Sequence, residues 1–281
     1  MELPQRQDNV RAMNDDVVLE LRSSVARLTI NRPERRNALN ASVLSGLRSA
    51  LAQVKSDDAI RVVVLSGAGD KAFSAGADLV DPRSPAASGA QQASSEAPSS
   101  AQLHEARGEL AALFEDLRDL GKPSIARVRG YCLAGGMGLA LACDIVIAAD
   151  DAVFGTPEID IGIWPYMVTV ALLQSTSPRH ALELMMTGRR LGANEADRLG
   201  LLNRVVPVDE LDRAVDELAE LLANKPPRAL SAGRSSFYRV LHLSAGDALA
   251  YLHPLLSLAT ETPEAAEGRA AFAARRPPSW E

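Results

Sequence analysis

The chain has little of several residue types, and each scarcity excludes a class of protein. Its 281 residues include two cysteines, Cys132 and Cys143, so a disulfide framework is excluded and buried, reduced thiols are expected. The four histidines are scattered without the spacing of metal ligands, so we expect no metal site. Lysine and arginine total 30 against 36 acidic residues, a net charge of -6 that lacks the basic footprint of a nucleic-acid-binding protein.

Long apolar runs are also missing. The longest, around residues 139–149, is interrupted by Asp144 and is too short to span a membrane. The first residues, Met1 to Arg6, contain no apolar segment of the kind that a secretory signal needs. We therefore expect a cytoplasmic protein that does not bind membranes. The hydrophobic fraction of 47% and the charged fraction of 23% are those of a globular protein.

The chain divides into regions of different character. Residues 1–15 are polar and predict a disordered leader, and residues 16–208 alternate strand and helix patterns, which predicts an α/β core. Within the core, alanine, serine and proline dominate residues 81–101, so this segment predicts a mobile loop. Residues 209–281 have helical apolar spacing almost throughout. Asn40 is the predicted N-cap of a helix that continues to about Lys55.

One glycine motif suggests a nucleotide site. Residues 67–72 match Gly-x-Gly-x-x-Ala directly after a predicted strand. A dinucleotide site needs a helix to begin there, whereas the residues that follow are small and typical of a loop. A nucleotide-binding oxidoreductase is therefore a disfavoured alternative.

Two further glycine turns, at residues 73–79 and 130–138, suggest a different chemistry. Small residues allow a ligand to approach the backbone, and a helix that begins after the second turn leaves unpaired N–H donors. Two such donors that meet would stabilise an oxyanion; otherwise both segments are only tight turns. Glu158 follows Pro157 among apolar residues. It is either a desolvated general base or a solvated turn residue, and Asp160 is the nearby carboxylate that competes with it for the role of base.

In this order, the two turns and the segment 154–162 resemble the crotonase superfamily, the enoyl-CoA hydratase/isomerase family. Segments 31–40, 200–206 and 267–277 add to the resemblance, which extends from about residue 16 to residue 280. The resemblance implies a spiral of stacked ββα turns with a helical C-terminal region that mediates oligomerisation. It also implies an acyl-CoA substrate, a homotrimer or a dimer of trimers, and no cofactor other than the coenzyme A of the substrate.

The resemblance assigns roles to individual residues. The backbone N–H groups of Ala77 and Gly135 correspond to an oxyanion hole for the thioester carbonyl. The residues implied in coenzyme A binding are Arg35, Arg36, Phe272 and Arg275. The residues implied in the acyl pocket are Met137, Trp164 and Tyr166.

The chain departs from the family at one catalytic position. Hydratases of the family use two glutamates; the resemblance maps one onto Glu158 and the other onto Gly138, which has no side chain. One carboxylate suffices for an isomerase that shuttles a proton, so we expect an enoyl-CoA isomerase. The alternatives are a hydratase that takes its second acid from Glu105 or Glu109, and an acyl-CoA binding protein without catalysis. Dienoyl isomerisation is less favoured, because Tyr166 stands where those members carry an aspartate.

Overall fold

The computed structural model describes residues 9–79 and 100–280. The predicted mobile loop lies outside the described residues except for its last two positions, which begin a helix. The prediction of a disordered leader over residues 1–15 is wrong for Asn9–Asn14, which form an antiparallel edge strand. Among the described residues, no helix has the length and apolar character needed to cross a membrane.

The elements follow the predicted order of an α/β core and a helical C-terminal region. The strands are β1 (Asn9–Asn14), β2 (Val17–Arg22), β3 (Val25–Ile30), β4 (Val62–Gly67), β5 (Ala72–Ser74), β6 (Ser124–Val128), β7 (Tyr131–Leu133), β8 (Ile145–Ala149), β9 (Val153–Gly155), β10 (Arg190–Gly192) and β11 (Arg204–Val206). The helices are α1 (Ala41–Ser56), α2 (Ser100–Arg118), α3 (Gly135–Leu141), α4 (Tyr166–Ser175), α5 (Pro178–Thr187), α6 (Ala193–Arg198), α7 (Leu211–Ala223), α8 (Pro227–Val240), α9 (Ala245–Thr260) and α10 (Pro263–Ala274).

The core is a spiral of two sheets. The seven-stranded sheet has the order β1-β2-β3-β4-β6-β8-β11 and is parallel from β3 onward. The four-stranded sheet has the order β10-β9-β7-β5. The pairs β4–β5, β6–β7 and β8–β9 each step from the first sheet to the second, and a helix follows each pair. This repetition is the predicted series of ββα turns.

Strand β4 shows why the larger sheet is covered on both faces. Successive side chains of a strand point to opposite faces, and Val63 and Leu65 join the main core with α1 and α2. Val62 and Val64 join a second cluster, whose members from α7 are Leu211, Ala214, Val215 and Ala219. Helix α7 is therefore a layer of the core, although the predicted boundary after residue 208 assigned it to the C-terminal region.

Helix α8 is attached to the core by a polar network. The Asp144 carboxylate accepts hydrogen bonds from Arg234 Nε (2.8 Å), the Tyr238 hydroxyl (2.6 Å) and the Ser124 hydroxyl (2.9 Å). The guanidinium groups of Arg118 and Arg234 lie 5.1 and 5.0 Å from the centroid of the Tyr238 ring. Because the Asp144–Arg234 pair is largely buried, this network fixes the position of α8 on the core.

The cap of α1 provides a test of the local structure. The Asn40 side chain is buried and accepts a hydrogen bond from the Val43 N–H (2.9 Å), as the sequence predicts. We expect Asn40→Ala to lower the free energy of unfolding by about 1 kcal/mol, because an N–H of the first turn loses its acceptor. Chemical denaturation measures the change. Gln53→Ala on the exposed face of α1 is the control, and an equal loss there would contradict the capping argument.

Candidate active site

Three turns that the sequence singled out leave the same edge of the four-stranded sheet. Strands β5, β7 and β9 are parallel neighbours, and they are followed by the turns that contain Ala77, Gly135 and Glu158, respectively. The carboxyl ends of parallel strands are where α/β proteins bind ligands. The topology therefore brings the two predicted backbone donors and the predicted carboxylate to one place.

The direction of the Ala77 N–H follows from a parallel bridge to Leu39. The Leu39 N–H donates to the Gly76 carbonyl (2.8 Å), and the Asp78 N–H donates to the Leu39 carbonyl (3.0 Å). Peptide groups alternate in direction along an extended segment, so the Ala77 N–H points away from Leu39. Within the described residues this N–H has no hydrogen-bond acceptor.

The second donor, the Gly135 N–H, begins helix α3. The preceding residue, Ala134, donates its own N–H to the Gly155 carbonyl (2.8 Å), and its carbonyl accepts from the Gly138 N–H (3.1 Å). As the first residue of the helix, Gly135 has no partner for its N–H inside the helix, and the rest of the described chain supplies none. A partial positive charge therefore accompanies this free donor.

The two donor turns are in contact with each other. Gly76 has a φ of +88°, and a Cβ built there would lie 2.5 Å from Ala134 Cβ and 3.3 Å from the Gly135 nitrogen. Position 76 must therefore be glycine. Ala134 itself has φ 52° and ψ -133°, a conformation that favours glycine, so backbone strain is stored between the two donors.

A buried ion pair holds the first turn. Asp78, which directly follows Ala77, is 3% exposed and lies 3.1 Å from Arg32 Nη1 and 3.0 Å from Arg35 Nη2. The Arg36 guanidinium lies 5.7 Å from the centroid of the Tyr131 ring. Arg35 and Arg36, both predicted to bind coenzyme A, thus lie beside the turn that contains Ala77, and Arg35 also positions this turn through Asp78.

Glu158 has the environment of a general base. It lies in a 3-10 turn, Pro157–Ile161, and its buried Oε2 has no hydrogen-bond partner among the described residues. Burial raises the pKa of its carboxyl above the ordinary value of 4.5, because desolvation disfavours the charged form. Asp160, its local competitor, is exposed to solvent. The structure therefore favours Glu158 over Asp160.

The position of the missing second acid is occupied by an aromatic ring. A Cβ built on Gly138 would lie 2.8 Å from Phe114 Cζ and 3.2 Å from Val168 Cγ2. Leu110, one turn before Phe114 on α2, lies 3.2 Å from a Cβ built on Gly135. These half-buried side chains form an apolar wall over α3. This wall was not predicted, although Leu110 and Phe114 are four residues apart on one face of a predicted helix.

Neither candidate replacement acid is shown to supply a carboxylate at this wall. Glu109 Oε2 accepts a hydrogen bond from Arg48 Nη1 (2.7 Å), so its carboxylate is engaged with α1. The side chain of Glu105 lies outside the described part of the structure. Of Glu105, Glu109 and Glu158, it is therefore Glu158 whose carboxylate the described structure places at the three turns.

The structure distributes the remaining predicted residues more widely. Met137 is fully buried in the core, where it supports α3 instead of lining a pocket. Trp164 packs half-buried against the same core, and Tyr166 is 69% exposed at the start of α4. Phe272 is 87% exposed near the end of α10, and Arg275 ends that helix with a φ of 53°. At that exposure, Phe272 does not wall the site of its own chain.

The glycine motif at residues 67–72 does not open a helix. Strand β5 begins at Ala72 and continues the spiral, so the N-terminal helix end that a dinucleotide phosphate would need is not formed there. The structure thus removes the geometric basis of the oxidoreductase alternative.

The chain is similar to known proteins over most of its length. The chain matches the enoyl-CoA hydratase/isomerase family over residues 20–281. A probable enoyl-CoA hydratase of Mycobacterium tuberculosis, echA8, is 33% identical over 267 residues, which cover 95% of this chain and 98% of the relative. The carnitinyl-CoA dehydratase of Escherichia coli K12 is 35% identical over 275 residues, covering 95% and 99%. The crystal structure of an enoyl-CoA hydratase from Mycobacterium smegmatis superposes with a TM-score of 0.86 at 30% identity, covering 95% and 99%.

The matching family and relatives place the chain in the class of enzymes that act on acyl-CoA thioesters. The chain belongs to the enoyl-CoA hydratase/isomerase family, and its fold is the expected crotonase-like fold.

Proposed function

We propose that the protein is an enoyl-CoA isomerase that moves a double bond from the 3-position to the 2-position of an acyl-CoA thioester. The observation that carries this proposal is the Phe114 ring beside Gly138, where hydratases of the family hold a second glutamate. A carboxylate at that position would have to displace the ring. With Glu158 as the one acid/base, proton transfer is supported better than the addition of water.

The proposed reaction uses the three turns together. The thioester oxygen accepts hydrogen bonds from the Ala77 and Gly135 N–H groups. The Glu158 carboxylate removes a proton from C2, and the electron pair of that bond moves onto the carbonyl to form a dienolate. Glu158 then returns the proton to C4, which leaves the double bond between C2 and C3. Each backbone donor of this kind typically lowers the barrier by about 3 to 4 kcal/mol.

The pH dependence of the rate follows from the position of Glu158. The carboxylate must be ionised to remove a proton, and its pKa is raised. We expect kcat/KM to fall as the pH decreases through that raised pKa, with an inflection above 4.5. A pH–rate profile of the free enzyme measures it. An inflection at or below the ordinary value would contradict the desolvated base.

Product analysis tests the proposed reaction directly. The purified protein is incubated separately with a 3-enoyl-CoA and with a 2-enoyl-CoA, and the products are separated by chromatography with mass detection. Interconversion at unchanged mass supports the isomerase. Efficient addition of one water would overturn it in favour of a hydratase, the activity named for the mycobacterial relatives. Binding without either product would favour an acyl-CoA binding protein.

The proposal includes a homo-oligomer that completes the coenzyme A site. The C-terminal helices expose a set of large apolar side chains, namely Phe237, Leu249, Tyr251, Leu256, Leu258 and Phe272. Such an apolar face is typical of an interface. In a trimer or a dimer of trimers, Phe272 and Arg275 would reach the coenzyme A of a neighbouring chain, beside Arg35 and Arg36. Sedimentation analysis should give three or six times the chain mass of 29.9 kDa.

The remaining parts of the proposal concern what the reaction needs and where it takes place. No cofactor is needed, because coenzyme A belongs to the substrate. A cytoplasmic location is proposed, and fractionation of cells that produce the protein would test it.

A further inference from the structure

A cavity lies at the opposite end of the parallel strands from Glu158. It has a volume of about 510 Å³ and is lined by Ile60 and Arg61, which precede β4, and by Lys122 and Pro123, which precede β6. The active-site turns follow the carboxyl ends of the strands. Strand β6 alone, with five residues, separates the two ends by roughly 16 Å. The cavity is therefore not part of the site described above.

The cavity concentrates positive charge in an acidic protein. The chain has four lysines and a net charge of -6, yet three of the four lysines line this one cavity. The cations that line it are Lys55, Arg61, Lys122, Lys225 and Arg228, and the one acidic residue is Asp58. A cleft lined by one sign of charge focuses the field and raises the local concentration of counter-ions.

Among the residues that the structure describes, most of these cations have no ion-pair partner. Lys55, Lys225 and Arg228 form no ion pair within the described ranges 9–79 and 100–280. Arg61 donates to the Trp280 carbonyl (3.5 Å) and forms no ion pair with another described residue. Lys122 differs, because its buried ammonium donates to the carbonyls of Val54 and Asp57 at the end of α1. The like charges at the rim repel one another until an anion lies between them.

The floor of the cavity is apolar. Leu120, Leu222 and Leu230 line it beneath the cationic rim. The volume falls within the range of small-molecule sites, which combine an apolar floor with a few charged groups. Several cations around one opening suit a group with more than one negative charge, and lysine and arginine are the residues that bind phosphate.

We propose that this cavity binds a phosphorylated small molecule, with its phosphates among Lys55, Arg61, Lys225 and Arg228 and its apolar part on the leucine floor. This proposal does not rest on the isomerase reaction, because none of these residues belongs to the catalytic turns. A molecule bound there would contact α1, α7, α8 and the segments that precede β4 and β6, and so both the core and the C-terminal helices.

Calorimetric titration with inorganic pyrophosphate and with ATP tests the proposal. Saturating butyryl-CoA is present throughout, so that the active site is occupied and cannot account for the heat. We expect one site per chain, weakened about tenfold in the Lys55→Gln/Lys225→Gln variant because two charge contacts are lost. Lys71→Gln is the matched control, since Lys71 is the exposed lysine outside the cavity, and it should leave the affinity unchanged.

The choice of probes separates the two parts of the proposal. Binding of ATP that is much tighter than binding of pyrophosphate supports a role for the apolar floor. If ATP and pyrophosphate bind with equal affinity, and both bind more weakly to the Lys55→Gln/Lys225→Gln variant, the cationic rim is supported and the apolar subsite is overturned. The whole proposal is overturned if neither probe binds at concentrations up to about 1 mM in low salt, or if Lys71→Gln weakens binding as much as the double variant.

Discussion

Replacing Glu158 with glutamine is expected to lower the isomerisation rate by roughly 10²–10⁴, the usual contribution of a general acid/base. Glutamine has nearly the same shape but cannot remove a proton. The backbone donors at Ala77 and Gly135 are untouched, so the affinity for an acyl-CoA should be kept. The loss should therefore appear in kcat, with little change in the dissociation constant of butyryl-CoA.

The same replacement should not destabilise the fold. Because the folded pKa of Glu158 is raised, the native state binds more protons than the unfolded state between the two pKa values. Stability then falls as the pH rises through this window, and the buried carboxylate is a net cost at neutral pH. The neutral amide of glutamine removes the charge, so the melting temperature at pH 7 should stay the same or rise.

Steady-state kinetics, ligand titration and thermal melting on one preparation check these statements together. Asp160→Asn is the matched control, because it makes the same change two residues away at an exposed carboxylate. It should leave the rate within a small factor of the parent. A rate loss in Asp160→Asn as large as that in Glu158→Gln would contradict the assignment of Glu158 as the general base.

Residue patterns predicted the parts of the fold that are locally determined. The run Val62–Leu65 predicts a buried strand because all four side chains are apolar, and the structure divides them between two cores. Asn40 predicts a helix start because its side chain accepts from Val43, a contact within four residues. The three turns of the candidate site were predicted because small residues and a proline-glutamate pair follow strands in a fixed order. The resemblance then assigned their roles.

Elements that depend on distant partners were missed. Strands β10 and β11 have three residues each, and each exists because it pairs with β9 or β8. Strand β1 is polar, and its pairing with β2 stabilises it in a region predicted to be disordered. The family resemblance assigned Met137 to the acyl pocket, yet the packing of α3 buries its side chain in the core. None of these outcomes leaves a signal in the local sequence.

The contact between Gly138 and Phe114 belongs to the same class, because 24 positions of sequence separate the two residues. Glycine at position 138 shows only that a carboxylate is missing. The structure adds that its space is filled, since the Phe114 ring from α2 and Val168 from α4 close over it.

Replacing both residues, Gly138 with glutamate and Phe114 with alanine, should convert the site to a hydratase. Gly138→Glu alone should cost about 1–3 kcal/mol of stability, because its Cβ meets the Phe114 ring at 2.8 Å. Adding Phe114→Ala vacates that space, so the two changes should be strongly non-additive in a double-mutant cycle. With a second carboxylate beside Glu158, we expect hydration of a 2-enoyl-CoA to rise by roughly 10²-fold or more over the parent.

The matched control for this double variant is Gly138→Gln combined with Phe114→Ala. The glutamine side chain has the same shape as glutamate but lacks the carboxylate. Hydration measured by product mass should rise with glutamate and not with glutamine. If Phe114→Ala alone hydrates as fast as the glutamate double variant, entry of water and not the missing acid limits the reaction. In that case the Phe114 ring would act by excluding water, and Glu158 would suffice for both reactions once water is admitted.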